Sequence, residues 1–359
     1  MIPTFNTLPF PILQLSLSSV LKCGQSFRWS AYSLPEDAFE YRFCLRDRVV
    51  CLRQTPENIL YQTVLPDPQP DATQRKLREA ETLLWLKDYF QLDIDLALLY
   101  DEWGSRDKVF SGIKDRFSGI RMLRQDPWEN LISTCARNTS PPLLSITLPD
   151  GSGVEQTYYP FPTPSALAKP DVSARLRSLG FGYRADFIHR TAKMLVETHG
   201  ATAHPRELEP SELWLRTLRD MSTEDARIGA AQTAVVPVDT HVHQIAIKHY
   251  GMKGSGKGKT NMTPKLYEEL SAKFVQVWGP YAGWAHSVLF TSDLKSFALH
   301  GLPELSPPQE SPKKRSRGGD LGISLPTPPS TPLSSGTLAA TEFQSSAERV
   351  KKRARILRV

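Results

Sequence analysis

The stretch Val236-Pro237-Val238-Asp239-Thr240-His241-Val242-His243 sets a carboxylate where an extended, proline-closed segment gives way to an apolar-periodic run. Val242, Ile245, Ala246 and His249 follow at the spacing of one helical face, which predicts a helix with Asp239 as its N-cap. A carboxylate at the positive end of a helix dipole stays ionised at neutral pH. Asp239 is therefore either a structural cap or a fixed negative charge that steadies a developing cation.

Downstream, Gly251 to Lys259 is rich in Gly and Lys and reads as a flexible loop, either a solvated insertion or a phosphate contact. A helix is expected over Leu266 to Val277, followed by Trp278-Gly279-Pro280-Tyr281-Ala282-Gly283-Trp284-Ala285 and a last helix. In that helix His286 and Phe290 are four apart and share a face. A hydrogen-bonding ring beside an aromatic platform fits a packed core, and equally a pocket that stacks a planar ligand. After about Leu302 the composition turns to Pro, Ser, Thr and Gly, the mark of a disordered tail. Its basic clusters, Lys313-Lys314-Arg315-Ser316-Arg317 and Lys351-Lys352-Arg353-Ala354-Arg355, read as nuclear localisation or nonspecific nucleic-acid contacts.

Upstream, Leu15 to Leu65 alternates β-prone runs (Phe27-Arg28-Trp29, Tyr41 to Leu45, Val49 to Leu52) with turns, which predicts an antiparallel sheet. Within it, Gly24-Gln25-Ser26-Phe27-Arg28-Trp29 is either an ordinary turn into a strand or a place where glycine lets another group approach the backbone. Helical texture runs from about Asp71 to Arg124. Asp126-Pro127-Trp128-Glu129 then opens a helix with a cap, a first-turn proline and an acidic third residue. That helix stops early, because Asn138-Thr139-Ser140 leads into Pro141-Pro142. Further helices are expected over Val172 to Leu179, Phe187 to Thr198 and Ser211 to Met221. Between the first two, Gly180-Phe181-Gly182-Tyr183-Arg184-Ala185 forms a turn. It is a Schellman-type stop with a surface arginine, or an exposed aromatic and arginine suited to stacking on and reading a base.

With 359 residues the chain can bury a substantial core in one large or two smaller domains. Its net charge of +6 owes much to the C-terminal basic clusters and says little about partners. Cys23, Cys44, Cys51 and Cys135 show no metal-ligand spacing and fit a reducing compartment without disulfides. His241 and His243, two apart on a helix, diverge, so no zinc site is read. No run approaches the roughly 18 apolar residues of a membrane span, and Met1-Ile2-Pro3-Thr4 lacks a basic signal region. A soluble intracellular protein is expected. The first basic residue is Lys22, so no Arg-rich mitochondrial presequence is visible.

Five stretches in order, Gly24 to Trp29, Asp126 to Glu129, Gly182-Tyr183-Arg184, Pro237 to His241 and Trp278 to Ala285, resemble the eukaryotic 8-oxoguanine DNA glycosylases over nearly all of residues 1–300. The resemblance implies an α+β protein: an N-terminal antiparallel β domain with trailing helices (1–125), a helical glycosylase domain of the helix-hairpin-helix superfamily (126–300) and a disordered basic tail (301–359). It implies excision of 8-oxoguanine opposite cytosine in double-stranded DNA, followed by cleavage of the abasic strand. A monomer is expected, in the nucleus given the basic clusters or else in the mitochondrion, with no cofactor or metal. By position, the Gly24 carbonyl would meet the N7 proton that distinguishes 8-oxoguanine from guanine. Phe290 would stack on the flipped base, with His286 at its edge where the family more familiarly has Gln. Tyr183 and Arg184 would fill the gap and read the estranged cytosine, His241 would bind phosphate, and Asp239 would be the catalytic carboxylate. Base flipping is what calls for an aromatic pocket together with a wedge.

The chain departs from the family twice. The family's nucleophilic lysine, which forms a Schiff base with the sugar, lies shortly upstream of the aspartate in a glycine-rich hairpin. Here no lysine occurs between Lys193 and Lys248, and Ile228-Gly229-Ala230-Ala231-Gln232-Thr233 holds no Gly-x-Gly. Lys248, more than two turns down the helix, is too far from its start to substitute. After Ile132 the asparagine-rich turn and following helix are also missing, with Asn138 as at most a remnant. Two internal losses with intact sequence on both sides point to skipped exons or a misassigned gene model. The alternative to an enzyme is a noncatalytic protein that binds oxidised DNA.

Overall fold

Tyr41 pairs with Leu52 and Phe43 with Val50 across neighbouring antiparallel strands, a register that puts all four side chains on one face of a sheet. A computed structural model describes residues 5–132, 140–200, 240–252, 263–298 and 300, all within one compact unit that ends at Pro303. The sheet is built from Asn6–Pro9 (β1), Ser30–Ser33 (β2), Phe39–Cys44 (β3), Val49–Gln54 (β4) and Asn58–Val64 (β5), in the order β1-β5-β4-β3-β2. The first face is covered by Leu86, Tyr89 and Phe90 of the helix Ala72–Tyr89 (α2) and its end, and by the short helix Leu17–Val20 (α1).

The opposite face carries Cys44, Val49 and Cys51, and a two-stranded hairpin, Leu144–Thr147 (β6) and Glu155–Tyr158 (β7), packs against it through Tyr158, Leu144 and Ile146. Burial on both faces explains why β3 and β4 are nearly continuously buried instead of alternating. The hairpin is an addition to the helical second part expected from sequence. One β-prone run is corrected: Phe27-Arg28-Trp29 precedes β2 and is not a strand. Its Trp29 turns into the core instead, donating to the Tyr89 hydroxyl at 3.1 Å and lying 5.0 Å from the Phe43 ring.

The helices Leu96–Arg106 (α3) and Lys108–Ser111 (α4) are capped by Asp95 and Asp107, which accept from Leu98 and Val109. Pro127–Ile132 (α5) begins as expected, with Asp126 accepting from the Glu129 amide at 2.8 Å. Pro164–Leu167 (α6), Val172–Ser178 (α7) and Arg184–His199 (α8) follow, then Thr240–Tyr250 (α9), Pro264–Trp278 (α10), a 3-10 turn Gly279–Tyr281 and Ala282–Asp293 (α11).

Three main cores hold these elements. The sheet and α2 share the first, with Trp29 at its centre and Trp85 packed against it. The second joins α3 and α4 to α9, α10 and α11 through Leu96, Trp103, Phe110, Ile245, Phe274, Trp278 and Trp284. The third gathers Trp128 and Ile132 of α5 with Leu167, Leu176, Ile188 and Leu195. Cys23, Cys44 and Cys51 are buried free thiols, and no helix among the described residues is long and apolar enough to cross a membrane. Asn138, Cys135, the expected helix Ser211 to Met221, Asp239, most of the Gly251 to Lys259 loop, the tail with both basic clusters, and the two expected breaks all lie outside the described residues.

Candidate functional site

Gly24 follows a buried cysteine and adopts φ +90°, a left-handed backbone that side chains rarely accept. A Cβ built there would meet nothing within 4 Å, so the surrounding protein leaves this backbone open to an approaching group. The neighbouring Cys23 thiol is pushed up by burial, against hydrogen bonds from Gln25 and from Thr291 of α11. The Gly24 loop therefore lies beside α11, one residue from Phe290.

On α11, His286 is 6% exposed and Phe290 half-buried, with ring centroids 6.4 Å apart. Behind them Phe274 lies 5.9 Å from His286. In front, the exposed His241 in the first turn of α9 meets Phe290 edge-on at 5.7 Å. Phe274, His286, Phe290 and His241 thus form one aromatic row across three helices, with the Gly24 loop at its side. The i, i+4 pairing of His286 with Phe290 and the placement of His241 follow from helix geometry. Asp239 would precede the first residue of α9, Thr240, but is itself outside the described residues. Lys248 lies two turns along α9, 2.6 Å from the Asp293 carboxylate. Among the described residues no cluster of His, Cys, Asp or Glu could hold a metal ion.

Tyr183 and Arg184 stand at the start of α8, both exposed, Tyr183 to 73%. The turn before them is a Schellman stop: Phe181 N–H donates to the Leu176 carbonyl and Gly180 N–H to that of Arg177, with Gly180 at φ +91°. The Schellman stop at Gly180 and the exposed tyrosine and arginine are thus both present in one turn. Helix α8 begins at Arg184, three residues before the expected start. Sequence reasoning passed over Phe187, one turn along α8, which is 57% exposed, packs edge-on to Tyr183 at 6.1 Å and lies under the Arg190 guanidinium at 5.3 Å. Its signal was the i, i+4 spacing from Tyr183.

Two of the five motif stretches meet directly. Arg28 lies 3.2 Å from the Glu129 carboxylate, its guanidinium stacked between Phe43 at 5.0 Å and Phe161 at 5.1 Å. Burial lifts the Glu129 carboxyl to about 7, against the pull of Arg28, and also raises Asp126. The capping box that Asp126 and Glu129 suggest is therefore only half made: Asp126 caps the helix, while Glu129 is turned to Arg28.

Residues 7–131 match the model for the 8-oxoguanine DNA glycosylase N-terminal domain, and residues 128–273 that for the HhH-GPD superfamily base excision DNA repair proteins. The chain is 29% identical over 344 residues to the N-glycosylase/DNA lyase of Saccharomyces cerevisiae, covering 81% of this chain and 86% of that one. It is 29% identical over 314 residues to N-glycosylase/DNA lyase OGG1 of Arabidopsis thaliana, covering 81% of each. Its fold is similar to that of MBOgg1 in complex with a low affinity DNA ligand (TM-score 0.57, 19% identity, 81% of this chain and 98% of that one). The same holds for the Clostridium acetobutylicum 8-oxoguanine glycosylase/lyase in complex with DNA containing cytosine opposite 8-oxoguanine (TM-score 0.51, 20% identity, 77% and 91%). At these identities the structures speak for fold alone. The sheet-then-helices order, the two contiguous family matches and the relatives agree: this chain belongs to the 8-oxoguanine DNA glycosylase/lyase family of the helix-hairpin-helix superfamily.

Proposed function

We propose that this chain recognises 8-oxoguanine opposite cytosine in double-stranded DNA, as a nuclear monomer, but does not carry out the Schiff-base chemistry of its family. In this reading the flipped base enters between the Gly24 loop and Phe290, with His286 at its edge, His241 on phosphate, and Tyr183 and Arg184 in the vacated stack. The open, left-handed Gly24 beside the His286, Phe290 and His241 row supports the pocket. The match to the 8-oxoguanine DNA glycosylase N-terminal domain and the relatives named as glycosylase/lyases support the substrate class.

The observation that carries the loss of chemistry is the absence of any lysine between Lys193 and Lys248. Lys248 is no substitute: eight residues into α9 it lies about 12 Å along the axis from the helix start, paired with Asp293. Asp239, if it is the family carboxylate, has no nucleophile to assist. An alignment over 344 residues also exceeds what 81% of a 359-residue chain can fill. The yeast relative therefore carries residues within that span that have no counterpart here, which supports the reading of internal losses. The basic tail clusters support the nuclear assignment.

The test is borohydride trapping of the chain on DNA containing 8-oxoguanine opposite cytosine, run beside a gel-shift assay. The expected result is a shifted complex with no covalent adduct and no cleaved product. A trapped adduct overturns the loss of chemistry, and absence of lesion-dependent binding overturns the recognition.

A further inference from the structure

Gly24 has an open, left-handed backbone, yet its loop is fastened from outside by residues far along the chain. The Gln25 side chain uses both ends of its amide on the backbone of one strap, residues 121–125. Its Nε2 donates to the Arg121 carbonyl at 2.9 Å, and its Oε1 accepts from the Leu123 amide at 3.1 Å. The strap returns a third bond: Gln125 Nε2 donates to the Gln25 main-chain carbonyl at 2.6 Å, one peptide from Gly24.

The strap is itself fixed. Arg121 is fully buried, its guanidinium donating to the carbonyls of Gln91 and Ile94, each at 2.6 Å, and of Gln14. Gln91 Nε2 donates to the Met122 carbonyl at 3.0 Å, and the Arg124 amide to that of Tyr89 at 2.8 Å. A side chain that pairs with both a carbonyl and an amide of a fixed segment behaves as a strand rung. It removes the rotational freedom a glycine loop would otherwise keep.

Resting on the proposed recognition of 8-oxoguanine, we infer that Gln25 and Gln125 are positioning residues for lesion discrimination: they hold the Gly24 peptide in the orientation in which its carbonyl accepts the N7 proton of 8-oxoguanine. Guanine has no proton at N7 and presents a lone pair there, so the same fixed carbonyl meets it with repulsion. A carbonyl free to rotate away would lose both the bond and the penalty. Discrimination thus depends on the brace and not on the glycine alone.

The experiment measures equilibrium binding of the full chain to two duplexes that differ in one base, 8-oxoguanine or guanine opposite cytosine. It compares the parent with Gln25→Ala, Gln25→Glu and Gln125→Ala, with melting temperatures taken alongside. The expected result is a lesion-over-guanine affinity ratio reduced by about fivefold to tenfold in Gln25→Ala, the loss of one hydrogen bond's worth of discrimination. Gln25→Glu, which sets a carboxylate oxygen against the Arg121 carbonyl to which Nε2 donates, lowers the ratio at least as far, and Gln125→Ala is reduced while still folded. An unchanged ratio in Gln125→Ala, or equal weakening on both duplexes in Gln25→Ala, overturns the inference, because a merely structural role leaves the ratio alone. A parent chain with no preference for the lesion overturns the functional reading, and the brace falls with it.

Discussion

Glu129 is a buried carboxyl whose protonation bears on its contact with Arg28. Its folded value of about 7 lies above the ordinary 4.5 because burial penalises the carboxylate more than Arg28 rewards it. The folded chain therefore holds this proton more tightly than the unfolded chain. The stabilisation from this group is complete below about pH 4.5 and is lost as pH rises through about 7. Glu129→Gln removes the titration, so its melting temperature should fall less than the parent's between about pH 5 and pH 7.5. Parallel curves would refute the assignment. At this scale the sequence was partly legible. Asp126 as a cap and His286 with Phe290 on one face follow from local spacing. The carboxylate that faces Arg28 and the strap that holds Gln25 lie about a hundred residues away, and no local pattern announces them.

At the scale of elements, the end of α9 is tied down by one buried carboxylate. Asp107 caps α4 by accepting from the Val109 amide at 2.9 Å; its other oxygen accepts from the Tyr250 hydroxyl at 2.6 Å and from the Trp278 indole at 3.0 Å. It thereby joins α4, α9 and α10, with Asp107 and Trp278 buried and Tyr250 half-buried. Asp107→Ala leaves the indole and hydroxyl without their acceptor and removes the cap, and should cost about 3 kcal/mol in a urea titration. A loss under about 1 kcal/mol would mean that water replaces the carboxylate. Most helices were legible from their caps and apolar period. The β6–β7 hairpin was not, although Leu144 and Ile146 alternate and Asp150-Gly151-Ser152-Gly153 makes a turn. Strands of four residues are too short for their period to stand out from a loop. Phe27 to Trp29 failed in the opposite direction: Trp29 is there for the core it enters, while Phe27 is exposed.

At the scale of the molecule, the second core is assembled from both ends of the sequence, α3 and α4 from one side and α9 to α11 from the other. We propose residues 1–125 and 126–300 as units of sequence; as units of folding they share this core. A fragment of residues 1–125 would expose Leu96, Tyr100, Trp103, Phe110, Phe117 and Ile120, all buried in the intact chain. Burial of each such side chain is worth about 1.5–3 kcal/mol, so the fragment should lack a cooperative thermal transition and bind an apolar dye. A sharp transition would show that the first core suffices. The family order of motifs made the sheet-then-helices plan legible. The shared core was not, since it depends on pairings across more than a hundred residues.

The division of tryptophans among the cores has a practical consequence. Among the described residues, Trp29 and Trp85 report on the sheet, Trp103, Trp278 and Trp284 on the shared helical core, and Trp128 alone on the α5 to α8 cluster. Fluorescence of variants retaining one indole each would resolve the order in which these regions come apart. The emission of Trp128, whose indole donates to the Pro162 carbonyl at 2.9 Å, would follow the helix adjoining the first expected break.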